Sequence, residues 1–483
     1  MKNIVFIFTD TTNRHHLGCY GFQGAQTPNT DRLAHEGVRF DNSYSSSPVC
    51  TPARGCVFTG VHAVTNGAWY NDATPYSNVK MMGDIFSEAG YKVGYSGKWH
   101  LDGGLYLGYG KAQGGFPQTW WYDGKNYVDD IGEEKAKQWK RFAGSDWETK
   151  LELAFDSEDC WAHRVTDRAI DFLEKAGDEP FIFVAAFDEP HAPYMCPREY
   201  LEKIDPTAFE MRPNVDDPLE NKPAHQQITA AGHVNKEEDL RRFFRTYAAC
   251  NAFVDDQVGR IIEAVDRLHG DDTIIVFSSD HGEQMGSHGT WGKGRVLYNE
   301  NIKTPLLVRG AGVKKGGVSP SIVSQVDILP TFCELAGIDI DKQIQGKSFV
   351  PALKDPETKI QDYVYLTYTR FGNNGEPSID HKTDASELTT DKARKAEFYP
   401  ARAVMDGRYK LVVNLLDSDE FYDLQEDPYE LKNLINEPAV KADRDRMHQA
   451  LLDQMQRTRD PLRSSGWAFR PWSDHTDPYG QFK

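Results

Sequence analysis

The sequence predicts an α/β protein in which a large, mostly parallel sheet flanked by helices fills residues 1–365 and a smaller C-terminal α+β subdomain fills residues 366–483. Two observations carry this. Short apolar runs rich in Val, Ile and Phe, each followed by a polar residue, alternate with helix-like stretches, as expected of strands buried on both faces. After about residue 365 the strand-like runs no longer alternate with helices and a single closing helical pattern follows. A chain of 483 residues with 39% hydrophobic content can fill a sizeable core beside a second, smaller unit.

Asn3 to Phe8 reads as the first strand, stopped by Thr9-Asp10. Tyr91 to Tyr95, Phe181 to Phe187, Thr273 to Ser278 and Pro305 to Val308 follow as further buried strands. Helical periodicity marks Asn29 to Glu36, Met82 to Ala89, Ala162 to Ala176, Lys236 to Leu268 and Gln325 to Ala336. In the second unit, Tyr363 to Thr369, Ala401 to Met405 and Tyr409 to Asn414 read as strands, and Ala439 to Arg457 as the closing helix. Residues 201–235 and 370–398, rich in Pro, Asn, Gly and charge, read as long loops.

Composition excludes some functions. With 73 acidic against 55 basic residues and a formal charge of -18, the chain lacks the basic face that nucleic acid requires, so an anionic substrate must be attracted locally. No apolar run approaches the ~20 residues of a membrane helix. Seven irregularly spaced cysteines do not form a disulfide pattern, and Ile4 to Phe8 is too short for a signal core, so a soluble, cytoplasmic protein is expected.

In open α/β sheets, ligands sit beyond the carboxyl ends of the strands. Asp10, Lys98 with His100, Asp188 with His191, and Asp280 with His281 each follow a predicted strand, so four segments would deliver acids, imidazoles and a lysine to one rim. Beside them stands Pro48 to Gly60, with the spacing Cys50-x-Pro52-x-Arg54. Pro52 suits a first helical turn, which places Cys50 at a helix N-terminus, where an anion is favoured.

The Cys-x-Pro-x-Arg spacing resembles the signature of the type I sulfatase family, of alkaline-phosphatase-like architecture, whose cysteine is oxidised after translation to formylglycine. Further segments share the resemblance: Ser96 to Leu101 is similar to the Gly-Lys-Trp-His segment, Phe187 to Tyr194 to the Pro-His-x-Pro segment, and Phe421 to Leu431 to the C-terminal Leu-Tyr-Asp-Leu segment. Ser279 to Lys293, with Asp-His-Gly-Glu and a lysine twelve residues after His281, resembles carbohydrate sulfatases related to iduronate sulfatase.

The resemblance implies a catalytic set of Cys50, Arg54, Lys98, His100, His191 and Lys293. It implies a divalent cation, Ca²⁺ in the family with Mg²⁺ or Mn²⁺ as other choices, held by Asp10, Asp280, His281 and position 50. This chain has Thr11 where the family carries a second acid, so Thr11 is carried over only as a weak, neutral ligand. Lys98, His191 and Lys293 would contact the sulfate, with His288 assigned either to substrate contact or to loop structure. Arg54 would hold the formylglycine or the sulfate oxygens, His191 would protonate the leaving oxygen as an imidazolium, and His100 would act on the second hydroxyl of the hydrated aldehyde.

The implied activity is removal of sulfate from a small sulfated carbohydrate of glycosaminoglycan type, after conversion of Cys50 by a formylglycine-generating maturation enzyme. Hydrolysis of phosphonate monoesters or phosphodiesters on the same architecture is the alternative; a catalytically silent binding protein is a second. Cys19 and Cys56 are expected in the packing, and the Trp and Tyr residues between 99 and 147 are read mostly as fold, with a sugar-stacking wall of Trp120, Trp121 and Tyr122 as the alternative.

Overall fold

The computed structural model describes residues 2–473 apart from 23, 25, 144–146, 206, 208, 232–236, 294–295 and 371–398. Eight strands form the main sheet: β1 (Asn3–Thr9), β2 (Val38–Tyr44), β3 (Lys92–Gly97), β4 (Trp121–Tyr122), β5 (Phe181–Ala186), β6 (Thr273–Ser279), β7 (Leu306–Arg309) and β8 (Gly317–Ser324). Their order is β4-β3-β5-β1-β6-β7-β2-β8. Every pair is parallel except those that β7 makes with β6 and β2.

The central strands lack polar alternation because both faces are covered. On β1, Val5 and Ile7 enter one core with the Trp161–Ala176 and Glu237–Leu268 helices. Ile4, Phe6 and Phe8 point the other way, into a second core with the Met82–Glu88 and Ile328–Ala336 helices. Successive side chains of one strand thus fill two layers. Ile4 pairs with Ile182 on one side and Ile274 on the other, which places β1 at the centre and aligns the ends of β1, β5 and β6.

The five expected strands of this sheet are present, with ends shifted by one or two residues. β2, β4 and β8 were not anticipated. β2 shows only a partly buried face, and β8 is an edge strand carrying Pro320, positions where hydrophobic patterning is weak. The aromatic residues after Thr119 serve the fold: Trp121 and Tyr122 form edge strand β4, the Trp121 ring stacks on Tyr95 at 4.9 Å, and Trp120 packs edge-on against Phe172 at 5.1 Å.

A second sheet, β9 (Val364–Arg370), β10 (Tyr399–Met405), β11 (Tyr409–Asn414) and β12 (Glu420–Asp423), is antiparallel in the order β12-β11-β10-β9. The Lys441–Arg457 helix covers one face through Met447, Leu451 and Met455. The other face meets the main sheet, where Tyr44 and Ile322 join Leu366, Ala401 and Ala403. Residues 371–398 of the expected long loop lie outside the described residues; within 201–235 the helix Ala224–Ala231 forms. No helix among the described residues is long and apolar enough to cross a membrane. All seven cysteines are free thiols, with Cys56 buried and Cys19 half-buried in the packing.

Candidate active site

Four parallel strand ends and one helix build the site. Asp10 follows β1, Asp280 and His281 follow β6, Lys98 follows β3 and Asp188 lies two residues beyond β5. The turn at Gly97 has φ +114°, and a Cβ there would sit 1.8 Å from the Ala186 carbonyl oxygen. Only glycine lets β3 approach β5 closely enough for the Lys98 N–H to donate to Ala186 at 2.8 Å, which fixes where the lysine starts.

Cys50 opens the Cys50–Thr59 helix, as the sequence predicts, and Gly60 ends it in the left-handed conformation. Its Sγ lies 3.3 Å from His281 Nε2 and 3.8 Å from Asp10 Oδ1. Asp10, Cys50, Asp280 and His281 each offer an atom within 4.8 Å of the others, and all four residues are buried. His281 Nδ1 donates to the Gly282 carbonyl at 2.8 Å, so Nε2 faces the cluster; burial lowers this imidazole, but Asp280 and the Cys50 sulfur raise it above its ordinary range.

The charges are arranged to hold an anion and a cation together. Burial pushes the Asp10 carboxyl up, but neighbouring positive charges, Lys98 and Arg54 among them, outweigh it and leave Asp10 well below the usual carboxylate range. Asp280 is pushed up to about 7 by burial and by Asp10. Burial and Asp10 also push the Cys50 thiol up, yet Lys293, Lys98 and His281 prevail and hold it well below the ordinary thiol range.

Two neighbouring carboxylates, one of them forced towards its neutral form, with the Cys50 sulfur and a His281 ring nitrogen all within 4.8 Å of one another, fit a divalent cation. Thr11 lies beside this ligand set. Its φ is +68°, its hydroxyl donates to Asp10 Oδ1 at 2.6 Å and its N–H donates to Asp280 Oδ1 at 3.1 Å, so it aims both carboxylates.

Arg54 departs from expectation in the same way. Its fully buried guanidinium places Nη2 3.1 Å from Asp10 Oδ2 and Nε 3.2 Å from Asp280 Oδ2, while Nη1 donates to the Lys98 carbonyl at 2.6 Å. All three edges of the fork face partners within the protein, so Arg54 braces the two acids from behind.

Lys98 Nζ lies 2.7 Å from Asp10 Oδ2 and 2.9 Å from Asp188 Oδ1. Lys293 Nζ donates to His191 Nε2 at 2.9 Å, and this half-buried pair stands at the outer side of the cluster. His100 Nε2 lies 3.5 Å from Asp72 Oδ1; burial lowers this imidazole, but Asp72 and the Cys50 sulfur raise it above its ordinary range.

His191 behaves differently from the imidazolium expected. Burial, Lys293 and Lys98 lower its pKa, so the resting ring is neutral and accepts a hydrogen bond on Nε2. His288 is not gathered with the others. Its ring stacks on Tyr298 at 3.5 Å, Nδ1 meets Asp217 at 2.6 Å and Nε2 accepts from Asn214 at 3.1 Å, which ties it into a buried structural network. Sequence reasoning missed Tyr106, from the Gly-rich stretch after His100, and gave Asp188 no role; both touch this cluster.

Comparison with known proteins agrees with this geometry. The family model described as Sulfatase matches residues 2–338, and one described as N-sulphoglucosamine sulphohydrolase, C-terminal, matches residues 286–457. An uncharacterized sulfatase, YidJ, of Escherichia coli is 37% identical over 479 residues, spanning 99% of this chain and 91% of that protein. The N-acetylglucosamine-6-O-sulfatase of Bacteroides thetaiotaomicron is 26% identical over 527 residues, spanning 94% and 86%. A structure solved in complex with its substrate, D-glucosamine-2-N,6-O-disulfate, superposes with a TM-score of 0.75 at 22% identity, covering 95% of this chain and 99% of that one, which shows the shared fold. With strand ends, helix-borne cysteine and the match over residues 2–338 all in agreement, the chain belongs to the sulfatase family.

Proposed function

We propose that the protein hydrolyses a sulfuric ester of a carbohydrate, a glycosaminoglycan-type mono- or oligosaccharide, through a formylglycine made from Cys50 by a maturation enzyme. The observation that carries this is the Cys50 side chain at a helix N-terminus, touching His281 and Asp10 with Lys98 and Lys293 nearby. The carbohydrate class is supported by the names of the Bacteroides relative and of the C-terminal family model.

Sulfate esters resist hydrolysis because the nucleophile meets a negative group and the alcohol leaves poorly. Formylglycine supplies a hydrated aldehyde, in which one hydroxyl attacks sulfur and the other later allows sulfate to be expelled. A divalent cation, Ca²⁺ by family resemblance, supplies fixed positive charge at the same place; Asp10, Asp280, His281 and position 50 would hold it.

The remaining work falls to the chain's own residues. Lys98 and Lys293 would hold the sulfate oxygens as charge shifts, a reading supported by their positions beside Asp10 and His191. A sulfate reaches position 50 by parting the Lys293–His191 contact, which frees Nε2 of His191 to face the leaving oxygen and adds a negative charge that favours its protonation. His100, held above its ordinary range, takes the proton from the second hydroxyl once it has lost its own to solvent.

The deciding experiment measures sulfate released from defined sulfated mono- and disaccharides by the matured protein, alongside an aryl phosphonate ester. Turnover of a sulfated sugar at a higher kcat/KM than the phosphonate is the expected result; a preference for the phosphonate, or failure on every sugar with turnover of simple aryl sulfates, rejects the carbohydrate reading.

The cation should bind in a pH-dependent way. Asp280 carries a proton below about 7 in the cation-free site and must lose it to ligate, so the affinity for Ca²⁺ is expected to fall by up to about tenfold per pH unit on going below pH 7. Calorimetric titration with Ca²⁺ in two buffers of different ionisation enthalpy reads the released proton; an affinity flat between pH 5 and 7 contradicts the assignment.

A further inference from the structure

One hydroxyl links the two sides of the cluster. Tyr106, half-buried, donates to Asp188 Oδ1 at 2.5 Å and lies 3.1 Å from His191 Nδ1. Its ring face lies 4.1 Å from Lys98 Nζ, and its edge contacts His100 at 5.4 Å between centroids. One side chain thus touches four groups of the site, from a loop that is itself anchored. The Gly110 N–H donates to Asp123 Oδ2 at 2.8 Å and the Lys125 N–H to the Leu107 carbonyl at 2.7 Å. At Gly108, φ is +81° and a Cβ would sit 2.5 Å from the Asp123 carboxylate, so the turn after Tyr106 requires glycine.

The donors and acceptors admit one arrangement. The Ala192 carbonyl, 2.8 Å from His191 Nδ1, can only accept, so Nδ1 carries the hydrogen. The Lys293 ammonium can only donate, so Nε2 carries the lone pair. Tyr106 oxygen then accepts a share of the Nδ1–H while its own hydrogen goes to Asp188, which accepts from Lys98 as well.

Resting on the sulfatase reading above, we propose that Tyr106 is a positioning residue for His191: it holds the Nδ1–H tautomer and conveys the Asp188 charge to the imidazolium when Nε2 is protonated. This is the task that a carboxylate performs directly for the histidine of a hydrolytic triad, with a phenol interposed. In the step served, an oxygen at position 50 would bond to sulfur and give up its proton to solvent, the bond between sulfur and the ester oxygen breaks with its electron pair on that oxygen, and the proton on Nε2 passes to it. His191 is left as the Nδ1–H tautomer present in this structure, and solvent returns a proton to Nε2 between turnovers.

The test is Tyr106→Phe in the matured protein, assayed on two sulfate esters. For an alkyl or sugar sulfate, whose alkoxide is a poor leaving group, kcat is expected to fall about 10- to 100-fold, a fraction of what general acid catalysis supplies. For 4-nitrophenyl sulfate, whose phenolate leaves without much help, the fall is expected to stay within about threefold, and KM for both esters to move less than about threefold. Equal losses on the two esters, or none, overturn the proposal.

A measurement on the unmutated protein can overturn the proposal independently of how the variant folds. Nitrogen chemical shifts of labelled histidine should report His191 as Nδ1–H, the form that the Ala192 carbonyl also favours; an Nε2–H tautomer overturns the proposal. Wild-type turnover of both esters is the control for the function itself, so inactivity there counts against the sulfatase reading, while the difference between the two esters in Tyr106→Phe decides for or against Tyr106.

Discussion

Cys50→Ala and Cys50→Ser are each expected to lower sulfate-ester turnover by about 10⁴-fold or more, while the affinity for a sulfated sugar stays within about threefold of wild type. The separation follows from the geometry. In the proposed function sulfate would be held by Lys98 and Lys293, which Asp10, Asp188 and His191 continue to position when the sulfur is lost. In that proposal position 50 supplies the nucleophile. Serine restores one hydroxyl and so could be sulfated, but it has no second hydroxyl whose deprotonation would expel sulfate; it should yield a trapped ester, detectable by intact mass as one added sulfate. Neither change should unfold the chain, since residue 50 is the first of its helix and a smaller side chain leaves Pro52 and the rest of that helix packed. Kinetics with calorimetric binding of the sulfated sugar test this directly. Wild-type turnover by either variant would remove position 50 from the chemistry.

The parts of the site that were legible in the sequence are those whose position is set by a strand end. Asp10, Lys98, Asp188 and Asp280 each follow an apolar run long enough to read, and parallel pairing of β1, β5 and β6 then aligns those ends. Cys50 was legible because Pro52 marks a first helical turn. What could not be read depends on contacts between distant segments. Nothing around Tyr106 indicates that its loop folds back onto Asp188, and the spacing after Asp-His-Gly does not reveal that His288 turns away to stack on Tyr298. The direction in which Arg54 points was likewise invisible, since a guanidinium one helical turn beyond Cys50 can face sulfate or the acids behind it. In the fold, β2 and β8 escaped notice because half-exposed strands beside an edge show little hydrophobic signal, whereas the doubly covered β1 and β6 read as unbroken apolar runs.

Arg54→Met is expected to destabilise the cation-free protein by about 3–5 kcal/mol, the usual cost of removing one partner of a buried ion pair. Three groups lose their donor at once: Asp10, Asp280 and the Lys98 carbonyl. All are fully buried, and water does not replace the guanidinium at no cost. The origin of the loss can be separated from mere loss of packing against Phe8, whose ring lies 5.1 Å from the guanidinium. If the cost is the uncompensated charge on the acids, then Asp280→Asn placed in the Arg54→Met background should recover a large part of it, giving a favourable coupling of about 1–3 kcal/mol in a double-mutant cycle measured by urea unfolding. If Asp280→Asn adds its own loss to that of Arg54→Met without coupling, the bracing role is wrong and the arginine contributes through packing alone. Arg54→Lys distinguishes the shape of the charge from its presence. A single ammonium cannot reach Asp10, Asp280 and the Lys98 carbonyl together, so this variant should keep KM for the sulfated sugar near wild type, because position 54 does not touch sulfate, while binding Ca²⁺ more weakly as the two acids lose their common alignment. A raised KM with unchanged Ca²⁺ affinity would instead return Arg54 to the sulfate.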